Sequence, residues 1–266
     1  MTYHKSDTSA ASLHSLFNEI KPDVVVSTVS GNSSEIQKRI IDAVVSAKVP
    51  GYIPYEFGQD SLNTKVQERL PPNRERAQTI DYLNQLSAEG KLEWVAIATG
   101  VDLDRGLMNG KLGFDIKWES AAIVGSGTET FAASSGAWTG KVVLAVLRHW
   151  ESVKNSYLYA AGLITSVDAI VAAFEKATGK SFVTSKTDVE DCVREAERRI
   201  DRGFIDAGIA LMGRSVMYDR SIEAAKPFED ADAKGRLGLD GEKLEDIVEW
   251  VLHELKHHDN GGCGCD

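Results

Sequence analysis

Two short apolar runs with a helical segment between them constrain the fold of this chain most strongly. Val24, Val25 and Val26 form a β-branched run that is too short for a helix and suits a strand buried on both faces. Residues 36–45 then carry apolar side chains at helical spacing, and residues 51–55 form a second apolar run. Strand, helix and strand within about 35 residues predict a βαβ unit, whose two strands are parallel.

A third strand is predicted at residues 92–100, and two more near residues 121–124 and 156–160. Ligands of an open parallel sheet bind beyond the carboxyl ends of its strands. Three such ends, at residues 27–31, 54–58 and 99–102, should therefore meet in one crevice. The alternative is that they are ordinary strand-to-helix turns, in which Ser, Thr and Gly are common anyway.

Composition excludes some partners. The apolar fraction of 42% allows a substantial core, while the net charge of −10 argues against nucleic acid as a general partner. The chain has three cysteines, and such an odd and small number favours reduced thiols over disulfides. The polar start and the short apolar runs indicate no signal peptide and no membrane span. We expect a cytoplasmic protein with no membrane partner.

The residues around these strands resemble a known family. Residues 23–29, the helix at 37–47, the segment 54–58 (Pro-Tyr-Glu-Phe-Gly) and residues 94–100 look like the isoflavone-reductase-like, or NmrA-like, branch of the atypical short-chain dehydrogenases. The family's usual motif is Pro-Ser-Glu-Phe-Gly, so Tyr55 stands in the place of the Ser. The resemblance covers roughly residues 3–180. The Glu-Phe-Gly element is its most specific part.

The resemblance implies an α/β fold of the Rossmann-like, doubly wound, parallel type, with a smaller mixed α/β lobe after it. We expect a partial NAD(P)-binding domain at residues 1–110, a substrate lobe at 111–258 and a disordered tail at 259–266. The cofactor would be NADPH (NADP) and the substrate a small aromatic or enone-like molecule. The residues that the resemblance places beside the cofactor are Ser27, Thr28, Val29, Pro54, Tyr55, Glu56 and Phe57, and those it places on the floor of the substrate pocket are Thr99 and Gly100.

Two departures from the family pattern matter. The first is the glycine-rich loop, Gly-x-x-Gly-x-x-Gly, which this sequence lacks, so we expect an N-terminally truncated sheet and weak cofactor binding. Losing the first strand would leave residues 24–29 as an exposed apolar edge through which the chain could associate with itself.

The second departure concerns the catalytic lysine, which in reductase members precedes a Tyr-Leu pair by six residues. Counting back from Tyr82 gives Arg76, with Lys65 as a substitute in the preceding loop. A guanidinium stays protonated, so Arg76 cannot be a general base, but it could stabilise an oxyanion or hold a phosphate. The alternative is a solvated arginine on the helix surface beside Arg74 and Glu75.

A possible metal site lies near the C-terminus, where His253 and His257 share one helical face and Cys263 and Cys265 follow. Favourable interaction of histidines with a helix end explains the same pattern, and we predict no metal.

From the resemblance, the leading hypothesis is an NADPH-dependent reductase. The alternatives are a non-catalytic, NmrA-like protein that senses dinucleotides or binds partners, and an incomplete gene product.

Overall fold

The computed structural model describes residues 2–29 and 34–260, with side chains to His257. Its strands are β1 (Val24–Val26), β2 (Gly51–Ile53), β3 (Glu93–Ala98), β4 (Val101–Asp102), β5 (Phe114–Asp115), β6 (Ser120–Val124), β7 (Thr130–Ser134), β8 (Ser156–Tyr159), β9 (Leu163–Ser166) and β10 (Val183–Thr187). Its helices are α1 (Ala10–Ile20), α2 (Ser34–Ser46), α3 (Thr64–Arg69), α4 (Pro71–Ala88), α5 (Leu103–Met108), α6 (Gly136–Arg148), α7 (Trp150–Val153), α8 (Val167–Thr178), α9 (Val189–Asp201), α10 (Ile205–Tyr218), α11 (Lys226–Asp230), α12 (Lys234–Leu237) and α13 (Leu244–Asn260).

A parallel sheet of order β1-β2-β3-β8 forms the centre of the N-terminal half. Val25 pairs with Tyr52, and Gly51 pairs with Glu93, all in parallel register. The α/β class and the parallel βαβ arrangement are therefore confirmed. Because the strands are parallel, their carboxyl ends lie along one edge of the sheet.

Helices cover both faces of this sheet, as the doubly wound prediction requires. Side chains of a strand alternate between faces, so Trp94 and Ala96 pack in one apolar cluster with α1, α2 and α4. Val95 and Ile97 pack in a second cluster, on the opposite face, with α6 and α12. All four side chains are 2% exposed or less, which explains why residues 94–98 form a continuous apolar run in the sequence.

The C-terminal half has its own core, built on two small sheets of order β10-β6-β5 and β4-β7-β9. Their apolar sides pack with α5, α8 and α13 around Phe131, Phe174 and Leu107. This arrangement is the mixed α/β lobe expected from the resemblance. A boundary at residue 110 stays a prediction, since β4 and α5 already contribute to this second core.

Local signals place several helix ends correctly. Ser9 accepts a hydrogen bond from Ser12 N and caps α1, as its position before the apolar stripe predicts. Gly179 follows α8 with a φ of 70°, the left-handed conformation that closes helices, and its N–H donates to Glu175 O.

Two segments differ from what their residue pattern favours. The polar stretch 59–73 is typical of a surface loop, but residues 64–69 form α3, because Asn63 accepts hydrogen bonds from Lys65 N and Val66 N and starts a helix. Residues 187–213 favour one helical span, but the structure divides it into α9 and α10 at Gly203, whose φ is 87°. The disordered tail expected at residues 259–266 stays a prediction: α13 continues to Asn260, and residues 261–266, with Cys263 and Cys265, lie outside the described residues.

The sheet has an edge at β1, which pairs with β2 and with no other strand in the part of the chain that the structure describes. Val24, Val25 and Val26 are all half-buried. Self-association through this edge stays a prediction. Among the described residues, none of the helices is both long and apolar enough to cross a bilayer.

Gly100 provides a test of how tightly the two halves pack. Its φ is 75°, and a Cβ there would lie 2.3 Å from the backbone oxygen of Ala132. Gly100→Ala should therefore lower the free energy of unfolding by about 2–4 kcal/mol, the sum of backbone strain and overlap. Gly90 is the matched control: its φ is 66°, but a Cβ would meet nothing within 4 Å. Gly90→Ala should cost only about 1–2 kcal/mol in urea denaturation. Equal losses for both variants would contradict the predicted close packing.

Candidate functional site

The carboxyl ends of β1, β2 and β3 are tied together by backbone hydrogen bonds. Ser27 N donates to Ile53 O over 2.9 Å, which continues the β1–β2 ladder past the last strand residue. Gly58 O accepts from both Thr99 N and Gly100 N, over 3.1 and 2.8 Å. The three segments that follow the strands therefore meet at one edge of the sheet, as predicted. We call this region the strand-end cleft.

The segment after β1 enters the cleft from a fixed position. Ser27 is buried, and its hydroxyl lies beside that of Tyr52 without a well-formed hydrogen bond to any described residue. Thr28 and Val29 are exposed. Val29 O accepts a hydrogen bond from Gln37 Nε2 over 2.9 Å, and the Tyr52 hydroxyl donates to Gln37 Oε1 over 3.0 Å. Residues 30–33, which include the rest of this predicted turn, lie outside the described residues.

Glu56 is a carboxylate buried directly behind the cleft, with 1% of its surface exposed. Its Oε2 accepts a hydrogen bond from Ser61 Oγ over 2.6 Å and another from the Tyr157 hydroxyl over 3.3 Å. Burial raises the pKa of Glu56 to about 7, and the positive charge of Arg76 together with these two donors opposes the rise. The carboxyl group therefore changes charge near neutral pH.

Arg76 faces the cleft rather than the solvent. Its guanidinium carbon lies 5.0 Å from the centre of the Tyr55 ring, a cation–π arrangement. A Cβ on Gly58 would be 2.9 Å from Arg76 Nη1, so the absence of a side chain there makes room for the guanidinium. Arg74 on the same helix is exposed, whereas Arg76 is half-buried. The geometry thus disagrees with a purely solvated Arg76.

Helix α4 explains this orientation of Arg76. Its buried positions include Asn73, Ala77 and Ile80, which follow helical spacing and face the sheet. Arg76 lies at the border of this buried face. The neighbouring Glu75 turns toward α2 instead, where its Oε2 accepts a hydrogen bond from Ser34 N over 2.9 Å. Lys65, the proposed substitute, is exposed on α3 and donates to Ser221 O, away from Arg76.

The remaining predicted residues line the cleft or support it. Pro54 and Tyr55 lie with Glu56 and Arg76 around one shallow pocket, whose further lining residues are Ser34, Gln37, Pro72, Glu75 and Thr79. Phe57 packs edge-on to Tyr55, with 6.3 Å between ring centres, and its ring extends the apolar cluster under the sheet. Thr99 is 3% exposed, so it contributes mainly through its backbone bond to Gly58.

The C-terminal lobe contacts the cleft through the loop after β2. Gln59 Nε2 donates to Gly213 O of α10 over 3.3 Å. Arg69 of α3 forms an ion pair with Asp219 at 2.9 Å and also donates to Ser215 Oγ. These contacts hold α10 beside the strand ends, in agreement with a lobe that forms one wall of the cleft.

Gln37, Ser61 and Tyr157 are site residues that the sequence pattern did not indicate. Gln37 is a polar side chain on the buried face of α2, and this placement is the one signal that could have identified it. Tyr157 lies 101 residues from Glu56 in sequence and reaches it only because β8 is adjacent to β3. No local pattern predicts that neighbourhood.

The histidines of α13 do not form a metal site within the described residues. His253 and His257 are in contact, with 3.0 Å between their Nε2 atoms. No cluster of three or more His, Cys, Asp or Glu side chains suitable for a metal occurs in the part of the chain described. Cys263 and Cys265 lie outside that part.

The buried carboxyl group predicts a pH-dependent stability. The pKa of Glu56 is about 7 in the folded chain against 4.5 for an ordinary glutamate, so folding favours the protonated form. The stabilisation is complete below pH 4.5 and is lost as the pH rises through 7. Between pH 5 and 8 the free energy of unfolding of Glu56→Gln should rise relative to the parent chain by about 3 kcal/mol. A difference that does not change with pH in urea denaturation would contradict the proposed environment of Glu56.

Known proteins resemble this chain in sequence and in fold. No protein-family model matches it. It is 29% identical to the oxidoreductase aprR of Aspergillus flavus over 231 residues, which cover 86% of this chain and 77% of that protein. It is 25% identical to the oxidoreductase poxI of Penicillium oxalicum over 236 residues, which cover 86% and 74% of the two chains.

Reductases are among the solved structures that it resembles. An isoflavone reductase matches with a TM-score of 0.71 at 17% identity, over 92% of this chain and 80% of that one. A leucoanthocyanidin reductase of Vitis vinifera, in binary complex with NADPH, matches with a TM-score of 0.70 at 18% identity, over 92% and 80%. The chain therefore has the fold of the isoflavone reductases, which confirms the resemblance that residues 54–58 indicate.

Proposed function

We propose that this protein is an NADPH-dependent reductase of the isoflavone-reductase-like type that acts on a small, largely apolar aromatic carbonyl or enone. The observation that carries the proposal is the position of the Arg76 guanidinium, which lies over Tyr55 at the carboxyl edge of a parallel sheet. The similarity to named oxidoreductases and to an NADPH-bound reductase structure supports it.

The strand-end cleft offers groups that suit a dinucleotide. The Ser27 hydroxyl is buried there without a well-formed hydrogen bond to a described residue, so a ligand hydroxyl could complete its bonding. Residues 27–29 and 54–57 would hold the ribose and the nicotinamide. NADPH, when bound, supplies the hydride. The chain's own residues would position the substrate between Phe57, Thr99 and the C-terminal lobe and exclude water from it.

Arg76 would stabilise the substrate oxygen as negative charge develops on it. A guanidinium keeps its proton at all relevant pH values, so Arg76 acts as a fixed positive charge and a hydrogen-bond donor, not as a base. The Tyr55 ring and the gap at Gly58 hold the guanidinium in place. Glu56 lies close enough for its carboxyl group to interact with the positive charge of Arg76, which lowers the pKa of Glu56 against the effect of burial.

A non-catalytic, dinucleotide-sensing protein is the second candidate. The feature in its favour comes from the resemblance, by which Arg76 would stand where the family has its lysine, since a guanidinium does not exchange its proton. The fold and the cleft would be the same in both cases, because a sensor also needs to bind the dinucleotide. Turnover distinguishes the two candidates.

Cofactor affinity is the first test. The sequence carries no Gly-x-x-Gly-x-x-Gly loop to surround a pyrophosphate, so binding should be weak, with a Kd for NADPH above about 1 μM. Fluorescence titration of the full chain with NADPH, with NADH as the comparison, measures it. A sub-micromolar Kd would overturn this expectation, and no binding at millimolar NADPH would overturn the proposed function.

Substitutions at Arg76 test its role. Arg76→Ala should lower kcat on small aromatic enones and aldehydes by about 10²-fold or more, the usual effect of losing one oxyanion donor. Arg76→Lys should raise turnover if the position is catalytic. Gly58→Ala should lower kcat as well, because its methyl group displaces the guanidinium. Arg74→Ala, on the exposed side of the same helix, is the matched control and should leave kcat unchanged. Equal rates in all four variants would reject the assignment of Arg76.

A further inference from the structure

A cavity of about 730 Å³ lies in the C-terminal lobe, apart from the strand-end cleft. The end of α5, the segment after β5, the end of α8 and the last turns of α13 surround it. None of its lining residues lines the shallow pocket at Arg76. Its volume falls within the range of about 300–1,000 Å³ that is typical of small-molecule sites.

The floor of the cavity is apolar. Leu107 and Phe114, with 1% and 4% of their surfaces exposed, connect it to the core of the lobe. Met108, Leu252 and Leu255 are half-buried and extend the apolar surface toward the opening. An aliphatic or aryl group placed on this surface would be removed from water, which is favourable in proportion to the apolar area covered.

The opening of the cavity carries charged side chains, and one cation among them has no partner in the part of the chain that the structure describes. Lys180 forms an ion pair with Glu119. Asp115 Oδ1 accepts a hydrogen bond from Trp118 N over 3.1 Å. Lys256 makes no ion pair and no hydrogen bond with any residue that the structure describes. An unpaired ammonium group next to an apolar cavity is complementary to an anion with an apolar body.

We propose that this cavity binds a small amphipathic carboxylate, with its apolar chain on the floor and its carboxylate at Lys256. The chain carries a net charge of −10, so most of its surface repels anions. The cationic groups Lys117, Lys180 and Lys256 outnumber the acidic groups Asp115 and Glu119 around this one cavity. A cationic or neutral amphiphile would leave Lys256 uncompensated.

Calorimetric titration of the full chain with dodecanoate, below its micelle concentration, tests the proposal. We expect saturable binding of one equivalent. Lys256→Glu should weaken it at least tenfold by reversing the charge at the opening. Ala177→Trp should also weaken it at least tenfold, because Ala177 is an exposed lining residue whose enlargement fills the cavity without disturbing the core. Lys141→Glu, the same charge change at an exposed lysine on α6 outside the cavity, should bind like the parent chain.

Several results would overturn the proposal. The first is that no binding is detected up to 1 mM dodecanoate, a concentration about a thousandfold above micromolar affinity. The second is that neither Lys256→Glu nor Ala177→Trp weakens the binding. The third is that the uncharged dodecanol binds equally tightly. A dimer in light scattering that Lys256→Glu dissociates, without dodecanoate binding, would instead assign the cavity to a contact between two copies. Arg76→Ala should leave dodecanoate binding unchanged, so this site stands or fails independently of the reductase proposal.

Discussion

The parallel hydrogen-bonded ladder of β1, β2 and β3 is the constraint on which the rest of the structure depends. Because the three strands are parallel and paired, the three chain segments that follow them leave the sheet at the same edge. Unpaired strands would not fix the positions of these segments relative to one another. The ladder is extended beyond the strands by the carbonyl of Gly58, which accepts two hydrogen bonds from the segment after β3. Backbone hydrogen bonds thus fix the positions of the segments that form the cleft, and their side chains line it.

The electrostatics of this edge come from one buried carboxyl group, Glu56, and one half-buried cation, Arg76. Glu56 is removed from water behind the cleft, so its ionised form is destabilised, and the two hydroxyl donors recover only part of the lost hydration. Arg76 keeps its charge and stacks on Tyr55 in front of it. The charge of Arg76 stays constant, whereas the charge of Glu56 changes around pH 7. The electrostatic field in the cleft therefore depends on pH near neutrality.

The two halves of the molecule differ in how they are built. The N-terminal half is a sheet with a helical layer on each face, so the parts of its strands between these layers are mostly apolar. The C-terminal half packs small mixed sheets against α5, α8, α9, α10 and α13, and a cavity lies between α5, α8 and α13. Helix α10 joins the halves through Gln59 and Arg69, so the C-terminal lobe can act as a wall of the cleft.

The sequence by itself determined the local elements and the order in which they follow one another. Val24–Val26 and the run from Gly51 are recognisable because strands buried on both faces need unbroken apolar residues, and Ser9 and Gly179 mark helix ends because of their own side-chain and backbone chemistry. Arg76 was selected through the resemblance, by counting back from Tyr82 as the family's lysine motif requires, and its catalytic assignment stays a prediction. Only the folded chain shows that Tyr157 reaches Glu56, from which it is separated by 101 residues in sequence, that Gln37 joins Val29 to Tyr52, and that β10 pairs with β6. Such contacts depend on which strand lies beside which, a choice made by the packing of the whole chain and not by any short stretch of it.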